Sequence, residues 1–323
     1  MSVNQEPAAA ARRAAPTVPQ GLVGISRVHE EEEVKRIAVT TPTGNVGRHV
    51  VAGLVRAGVR PLVLLRDPAR LDPALADWVD PVAVDQRDPD AVLAATAGVD
   101  ALYWVSPPVP AEDPVAAHAR MGAHAARAVT ANGISRVVFQ SSVGAEKRGG
   151  AGEIDGLART EQLLEETGAT VAHLRCGFFF TNLLMELDAI RSGTVSVVLP
   201  VDRPMPWVAP RDIADTAVGL LLNPDLAGRT VRAVHGPADL SWERAAAVVT
   251  EVTGRRVRAQ RVPDERMREV LADAGLGPGS VEAVMGMSTG LREDFTPEQP
   301  RTAATTTPTT LAAWCQDELR PLL

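Results

Sequence analysis

The residues with the clearest chemical meaning are the turn Thr41-Pro42-Thr43-Gly44-Asn45-Val46-Gly47 and Arg66. Glycine at 44 lets the backbone approach a pyrophosphate with no Cβ in the way, and glycine at 47 lets a following helix pack close on its strand. That helix then points its first N–H groups and its partial positive charge at the phosphates. Chains that prefer NAD end the second strand of such a unit on an acid that holds the ribose 2′-hydroxyl. Here Arg66 stands at that point, and a guanidinium meets a 2′-phosphate, so the cofactor indicated is NADP(H). The turn departs from the G-x-G-x-x-G fingerprint at its first glycine, which is Thr41, followed by Pro42.

Such a pocket needs strand, turn, helix and strand in that order. Ile37, Ala38 and Val39 read as a short buried strand, and 61–65 as the second. The alternation continues with a strand over 81–85, a short helix over 90–97, a strand over 101–105 ending at Ser106-Pro107-Pro108, and an Ala-rich helix over 116–132 closed by Gly133. A fifth strand, 136–140, runs into Ser141-Ser142-Val143-Gly144-Ala145. A helix ends over 160–167 at Gly168, and 170–174 is a sixth strand. This rhythm predicts an α/β fold, a doubly wound parallel-sheet Rossmann domain over 34–176. Right-handed crossovers bring every C-terminal strand end to one edge, where residues 43–47, Arg66, Asp85, Ser106 and Ser141 all fall. Beyond Cys176-Gly177 the pattern loosens, with Pro200, Pro204, Pro206 and Pro210 crowded together. Helices follow over 212–222, 242–253, 265–274, 281–289 and 311–319, with a strand over 230–234. Residues 177–323 therefore predict a smaller, mostly helical substrate domain, with 207–235 returning to the Rossmann sheet.

Composition narrows the partners. The chain has 323 residues, 33 basic against 40 acidic, a formal charge of −7 and no long basic run, which argues against nucleic acid. No apolar run approaches the roughly 18 residues that span a membrane. Cys176 and Cys315 lie far apart with no CxxC, which fits a reducing cytoplasm and gives no metal-ligand spacing. His118 and His124 are six apart on the Ala-rich helix, so they do not share a face as metal ligands and read as solvated or core residues. Residues 1–33 carry Ala, Pro, Arg12, Arg13 and a run of glutamates at 30–33 without a continuous apolar core, and predict a disordered tail.

Taken together, residues 39–47, Leu65-Arg66-Asp67-Pro68, Ser141-Ser142-Val143-Gly144-Ala145, Leu174-Arg175-Cys176-Gly177-Phe178-Phe179, and Pro206-Trp207-Val208 with Arg211-Asp212-Ile213-Ala214 resemble the NmrA-like, atypical short-chain dehydrogenase/reductases. The resemblance runs from about Lys35 to about Cys315. It implies an NADP(H)-binding Rossmann domain with a small C-terminal substrate domain. It places Thr43, Gly44, Asn45, Val46 and Gly47, with Thr41 in the same turn, on the pyrophosphate, and Arg66 on the 2′-phosphate. Asp85 and Gln86 fall near the adenine, and Val105, Ser106, Pro107, Ser141 and Cys176 along the ribose and nicotinamide path.

The chain also departs from the wider family. Short-chain dehydrogenases usually protonate their substrate with a tyrosine whose pKa is lowered by a lysine four residues on. The single tyrosine here, Tyr103, lies inside a predicted strand with Pro107 four residues on, and the lysines are Lys35 and Lys147. Glu153 aligns with the tyrosine and Leu157 with the lysine. Three readings fit. One is an NADPH-dependent reductase of a polycyclic aromatic or polyketide-type ketone or quinone, its proton supplied by substrate, water or Ser142. A second is a non-enzymatic NADP(H)-sensing regulator, and a third a cyclase, dehydratase or epimerase on the same fold. Ser142 and Glu153 are the candidate catalytic residues, Glu153 being either a solvated loop carboxylate or an acid raised in pKa by a dry pocket. Phe178, Phe179, Phe180 and Trp207 are the candidate wall for an aromatic substrate. Cys176 reads as a small residue beside the cofactor or as a thiol nucleophile, and Asp212 as a helix cap.

Overall fold

Strands buried on both faces have no reason to alternate in polarity, and the first strands of this chain do not. The computed structural model describes residues 1–2, 36–108, 111–293 and 295–323. In chain order the first half forms β1 (Ile37–Thr40), α1 (Gly47–Arg56), β2 (Leu62–Leu65), β3 (Asp80–Ala83), α2 (Pro89–Ala95), β4 (Ala101–Trp104), α3 (Pro114–Asn132), β5 (Arg136–Ser142), α4 (Glu153–Glu165) and β6 (Thr170–Cys176). The second half forms β7 (Phe178–Phe179), α5 (Leu187–Ser192), β8 (Thr194–Val197), β9 (Met205–Val208), α6 (Pro210–Leu222), β10 (Arg229–Val234), β11 (Asp239–Leu240), α7 (Trp242–Thr253), β12 (Arg258–Arg261), α8 (Asp264–Asp273), α9 (Pro278–Arg292) and α10 (Leu311–Trp314). All four residues of β1, β2 and β4 are buried.

Seven strands pair in the order β10-β6-β5-β4-β1-β2-β3, every neighbouring pair parallel. The strand order reverses between β1 and β4, which opens a crevice at their C-terminal ends. On one face α1 and α6 press Val50, Val51, Leu54, Ile213, Ala217 and Leu221 onto the sheet. On the other, Val92, Met121, Ala125 and Val129 of α2 and α3 and Leu164 of α4 do the same. The Rossmann architecture is thus as the alternation predicts, and Val34–Leu323 forms one compact unit.

Several boundaries move for local reasons. The third helix starts at Pro114 because Asp113 caps it, accepting from the Ala116 amide at 2.9 Å, and proline is favoured in a first turn. β5 and β6 run two residues beyond the predicted ends, held by the registers Ser141↔Arg175 and Ser142↔Cys176. Glu153, a candidate loop residue, opens α4. The return of 207–235 to the main sheet is made by α6 and β10, whereas Trp207 and Val208 belong to β9 in a separate sheet of order β11-β9-β7. All but the first two residues of the expected disordered tail, and Lys35, lie outside the described residues.

The tight bend after β1 is made without glycine: Thr41 takes φ 49°, in the left-handed region. A β-branched residue there is strained by about 1–3 kcal/mol, partly offset by the lower chain entropy of threonine relative to glycine in the unfolded state. Thr41→Gly is expected to raise the free energy of unfolding by about 1 kcal/mol in urea titrations. An unchanged or lowered midpoint would show that the bend is not strained.

Candidate active site

The Thr41 bend is locked from both sides. Gly44 donates its amide to the Thr41 carbonyl at 3.0 Å. A Cβ on Gly47 would overlap the same oxygen, and one on Gly44 would come within 3.2 Å of it. The close approach sets α1 directly against the end of β1. That helix opens with no side-chain cap and no acidic residue in its first turn. Of its first amides, that of Arg48 donates to the Gly44 carbonyl at 3.2 Å and that of His49 to the Val46 carbonyl at 2.9 Å, while that of Gly47 has no backbone acceptor among the described residues and is left for an anion. Thr43 and Asn45 are exposed, while Val46 and Gly47 are buried and offer only backbone.

Beside this turn the crevice is pinned by a residue the sequence did not single out. Thr40 Oγ1 donates to the Tyr103 carbonyl at 3.1 Å and accepts from the Val105 amide at 2.9 Å, tying the end of β1 to the end of β4. Gln86 Nε2 donates to the Val105 carbonyl at 2.8 Å, and Ser106 Oγ accepts from Trp104 Nε1 at 3.2 Å. Val105, Ser106 and Pro107 thus form a fixed rim at the expected edge. Arg66, exposed after β2, makes no ion pair among the described residues. β3 ends at Ala83, short of the expected 85, so Asp85 lies two residues beyond it, and its carboxylate is clamped by Arg87, with Nη2 at 2.5 Å, which holds its pKa at about 2.

The end of β5 requires corrections. Ser141 does not face the nicotinamide path; its hydroxyl donates at 2.7 Å to Glu161, a fully buried carboxylate on α4. Glu161 also accepts from Arg175 Nη2 and from Arg148 Nη1, each at 2.8 Å. Burial opposes its charge, but Arg175 and Ser141 outweigh that and hold its pKa below the usual carboxylate range. Glu165 and His173 lie near enough to complete a metal-like trio, yet Glu161 is engaged by Arg148 and Arg175, and Glu165 by Arg229 at 2.7 Å. Cys176 is only 2% exposed, on the face where α1 and α6 pack, and burial pushes its thiol pKa far up, which argues against a nucleophile. Tyr103, fully buried, donates to Gln140 Oε1 at 2.6 Å, and burial raises its pKa further.

The substrate wall is half as large as expected. Phe180 and Trp207 are 1% and 0% exposed, in a separate core with Trp242 and Trp314, so they line nothing open. Trp207 spends its Nε1 on the Leu240 carbonyl at 2.9 Å. Phe178 and Phe179 are half-buried, Phe178 standing edge-on to Trp207 at 4.7 Å. Of the candidate acids, Ser142 Oγ donates to the adjacent Val143 carbonyl at 2.9 Å. Glu153 is half-buried at the start of α4, and burial raises its pKa.

Arg175→Met would leave Glu161 in the interior with one of its two guanidinium partners gone. We expect the free energy of unfolding to fall by about 3–5 kcal/mol at neutral pH. Because the folded pKa of Glu161 is depressed, its contribution is present above the unfolded carboxylate value and lost as pH falls through the folded one. The deficit of the variant should therefore shrink in acid; a deficit independent of pH would contradict this.

Comparison with known proteins places these features in context. The NmrA-like family matches residues 33–312. An NAD(P)H azoreductase of Xenophilus azovorans is 29% identical over 248 residues, covering 77% of this chain and 84% of that protein. A (4-alkanoyl-5-oxo-2,5-dihydrofuran-3-yl)methyl phosphate reductase of Streptomyces griseus subsp. griseus is 32% identical over 239 residues, covering 73% and 80%. Among solved structures, an NADPH-dependent quinone oxidoreductase of Escherichia coli in complex with NADPH superposes with a TM-score of 0.72 at 23% identity, over 85% of this chain and 97% of that one.

Proposed function

The chain belongs to the NmrA-like family, and from that premise we propose that it is an NADP(H)-dependent reductase of a small aromatic or quinonoid carbonyl compound. The observation that carries this reading is the uncapped start of α1 at the Thr41–Gly47 bend, beside the β1/β4 reversal and with Arg66 unpaired nearby. In this reading the amides of Thr43, Asn45, Val46 and Gly47 would hold a pyrophosphate, while Arg66 would take the 2′-phosphate. When bound, the nicotinamide dinucleotide supplies the two-electron reducing equivalent.

The chain's own part is to position a substrate and exclude water. Val105, fixed by Thr40 and Gln86, and the residues after it form one side of the reacting space, and the half-buried Phe179, which packs on the same core as Val105, gives an aromatic compound apolar surface. Helix α9 covers the stretch after β5: a Cβ on Gly144 would meet Leu291 Cδ2 at 2.9 Å. The names of both curated relatives describe reductases of small molecules, which supports the reaction class. Tyr103 plays no part in proton transfer in this reading, being sealed in the core.

Titration with both coenzymes tests the assignment. NADPH should bind more tightly than NADH, and Arg66→Ala should weaken NADPH by about 10–100-fold, as loss of a charged hydrogen bond does, with NADH little changed. Equal affinity for the two coenzymes in the wild type would contradict the role of Arg66. Turnover with a quinone should stay within about tenfold in Tyr103→Phe, since loss of a general acid costs about 10²–10⁴-fold.

A further inference from the structure

We propose that His118 and Glu153 act as a pair in which Glu153 Oε2 delivers a proton to the substrate oxygen, with His118 as the positioning residue. The proposal rests on the reductase reading above. Helices α3 and α4 follow β4 and β5, so both begin at the sheet edge where the candidate site lies; His118 sits in the second turn of α3 and Glu153 opens α4. The two helices are pressed together here, for a Cβ on Gly156 would lie 2.6 Å from His118 Cβ. The imidazole is consequently 3% exposed, and its Nδ1 has no partner among the described residues. Its Nε2 lies 3.9 Å from Glu153 Oε2, and Glu153 accepts no hydrogen bond among the described residues.

A buried imidazole kept for packing normally has its nitrogens satisfied, and a carboxylate kept for a helix dipole normally sits in water. Glu153, 17% exposed and accepting no hydrogen bond among the described residues, does not fit the second description, while the orphaned Nδ1 of His118 is one it shares with His173 and His235. Burial raises the pKa of Glu153, which favours its protonated form, and lowers that of His118, which favours the neutral imidazole.

The other charged groups on the surrounding elements are engaged or turned to solvent. On α3, Asp113 caps the helix and Arg120 is exposed, with Glu112 exposed just before it. Asp155 accepts from the Gly150 and Ala151 amides, Glu146 from those of Gly144 and Glu298. Lys147 donates to the Gly290 carbonyl and Arg148 pairs with Glu161; on α9, Glu282 takes Arg268 and Arg292 takes Asp264.

In the step, hydride from the reduced nicotinamide dinucleotide would form a C–H bond at the carbonyl carbon, the C=O π pair would move to the oxygen, and the O–H bond at Glu153 would break as an O–H bond forms there. The pair is left as carboxylate and neutral imidazole and regains its proton from water.

Ring NMR of His118 in the full chain tests the pairing without turnover. Removing a carboxylate this close in Glu153→Gln should lower the His118 titration midpoint by about one pH unit or more. The same variant should lose about 10²–10⁴-fold in kcat while binding NADPH as the wild type does. An unmoved His118 midpoint, or full turnover by Glu153→Gln, overturns the proposal while leaving the reductase reading intact. If Glu153→Gln does not fold, Glu153→Asp, which withdraws the carboxylate by one methylene, should lose turnover and shift His118 in the same direction; wild-type behaviour on both counts overturns the proposal. A wild-type protein that binds NADPH but oxidises it with no quinone or conjugated ketone overturns the reductase reading, and proton delivery with it.

Discussion

Gly47 lies so close to the carbonyl of Thr41 that no other residue fits between them, and the arrangement of the candidate site follows from that contact. It forces the chain to reverse within a few residues of β1, which puts Thr41 into the left-handed region and starts α1 directly at the strand end. A helix begun this abruptly has no side-chain cap, and the Gly47 amide stays available to an anion while those of Arg48 and His49 turn back onto the Gly44 and Val46 carbonyls. One residue earlier, the Thr40 hydroxyl uses both of its hydrogen-bonding capacities on the backbone of β4 and its exit. The end of β1 is thereby tied to the exit of β4, with the 41–47 bend on one side of the strand reversal and residues 105–107 on the other.

A second constraint acts at β5 and β6. Glu161 brings Arg148, Arg175 and Ser141 together behind the sheet edge, and buried charges of this kind are tolerated only when fully partnered. This fixes the body of α4 on the sheet. The first turn of the same helix lies under α9, where Gly152 and Gly286 meet backbone to backbone, and a side chain on either would clash. His118, pressed against Gly156, and Glu153, at the start of the same helix as Gly156, are therefore largely shielded from water.

Much of the fold was legible because the strands are buried on both faces and read as continuous apolar runs. The turn at 41–47 and Arg66 were legible because glycine spacing and charge carry direct steric and electrostatic meaning. Side-chain direction at the strand ends was not. Adding two residues to β5 turned Ser141 toward α4, and no local pattern in Ser141-Ser142 reveals which hydroxyl faces which side. Phe178, Phe179 and Phe180 are equally apolar in sequence, yet only the placement of Trp242 and Trp314, more than sixty residues further on, decides which of them is core. The His118–Glu153 pair was out of reach for the same reason: it depends on the close approach of two helices at Gly156, and an Ala-rich helix gives no sign of what it packs against.

The central claim is that a phosphorylated dinucleotide lies across the Thr41–Gly47 bend. A crystal structure of the full chain with NADP+ tests it most directly. The account predicts the pyrophosphate against the amides at the start of α1 and the 2′-phosphate within hydrogen-bonding distance of the Arg66 guanidinium. A dinucleotide bound elsewhere, or a 2′-phosphate turned away from Arg66 into solvent, would contradict it.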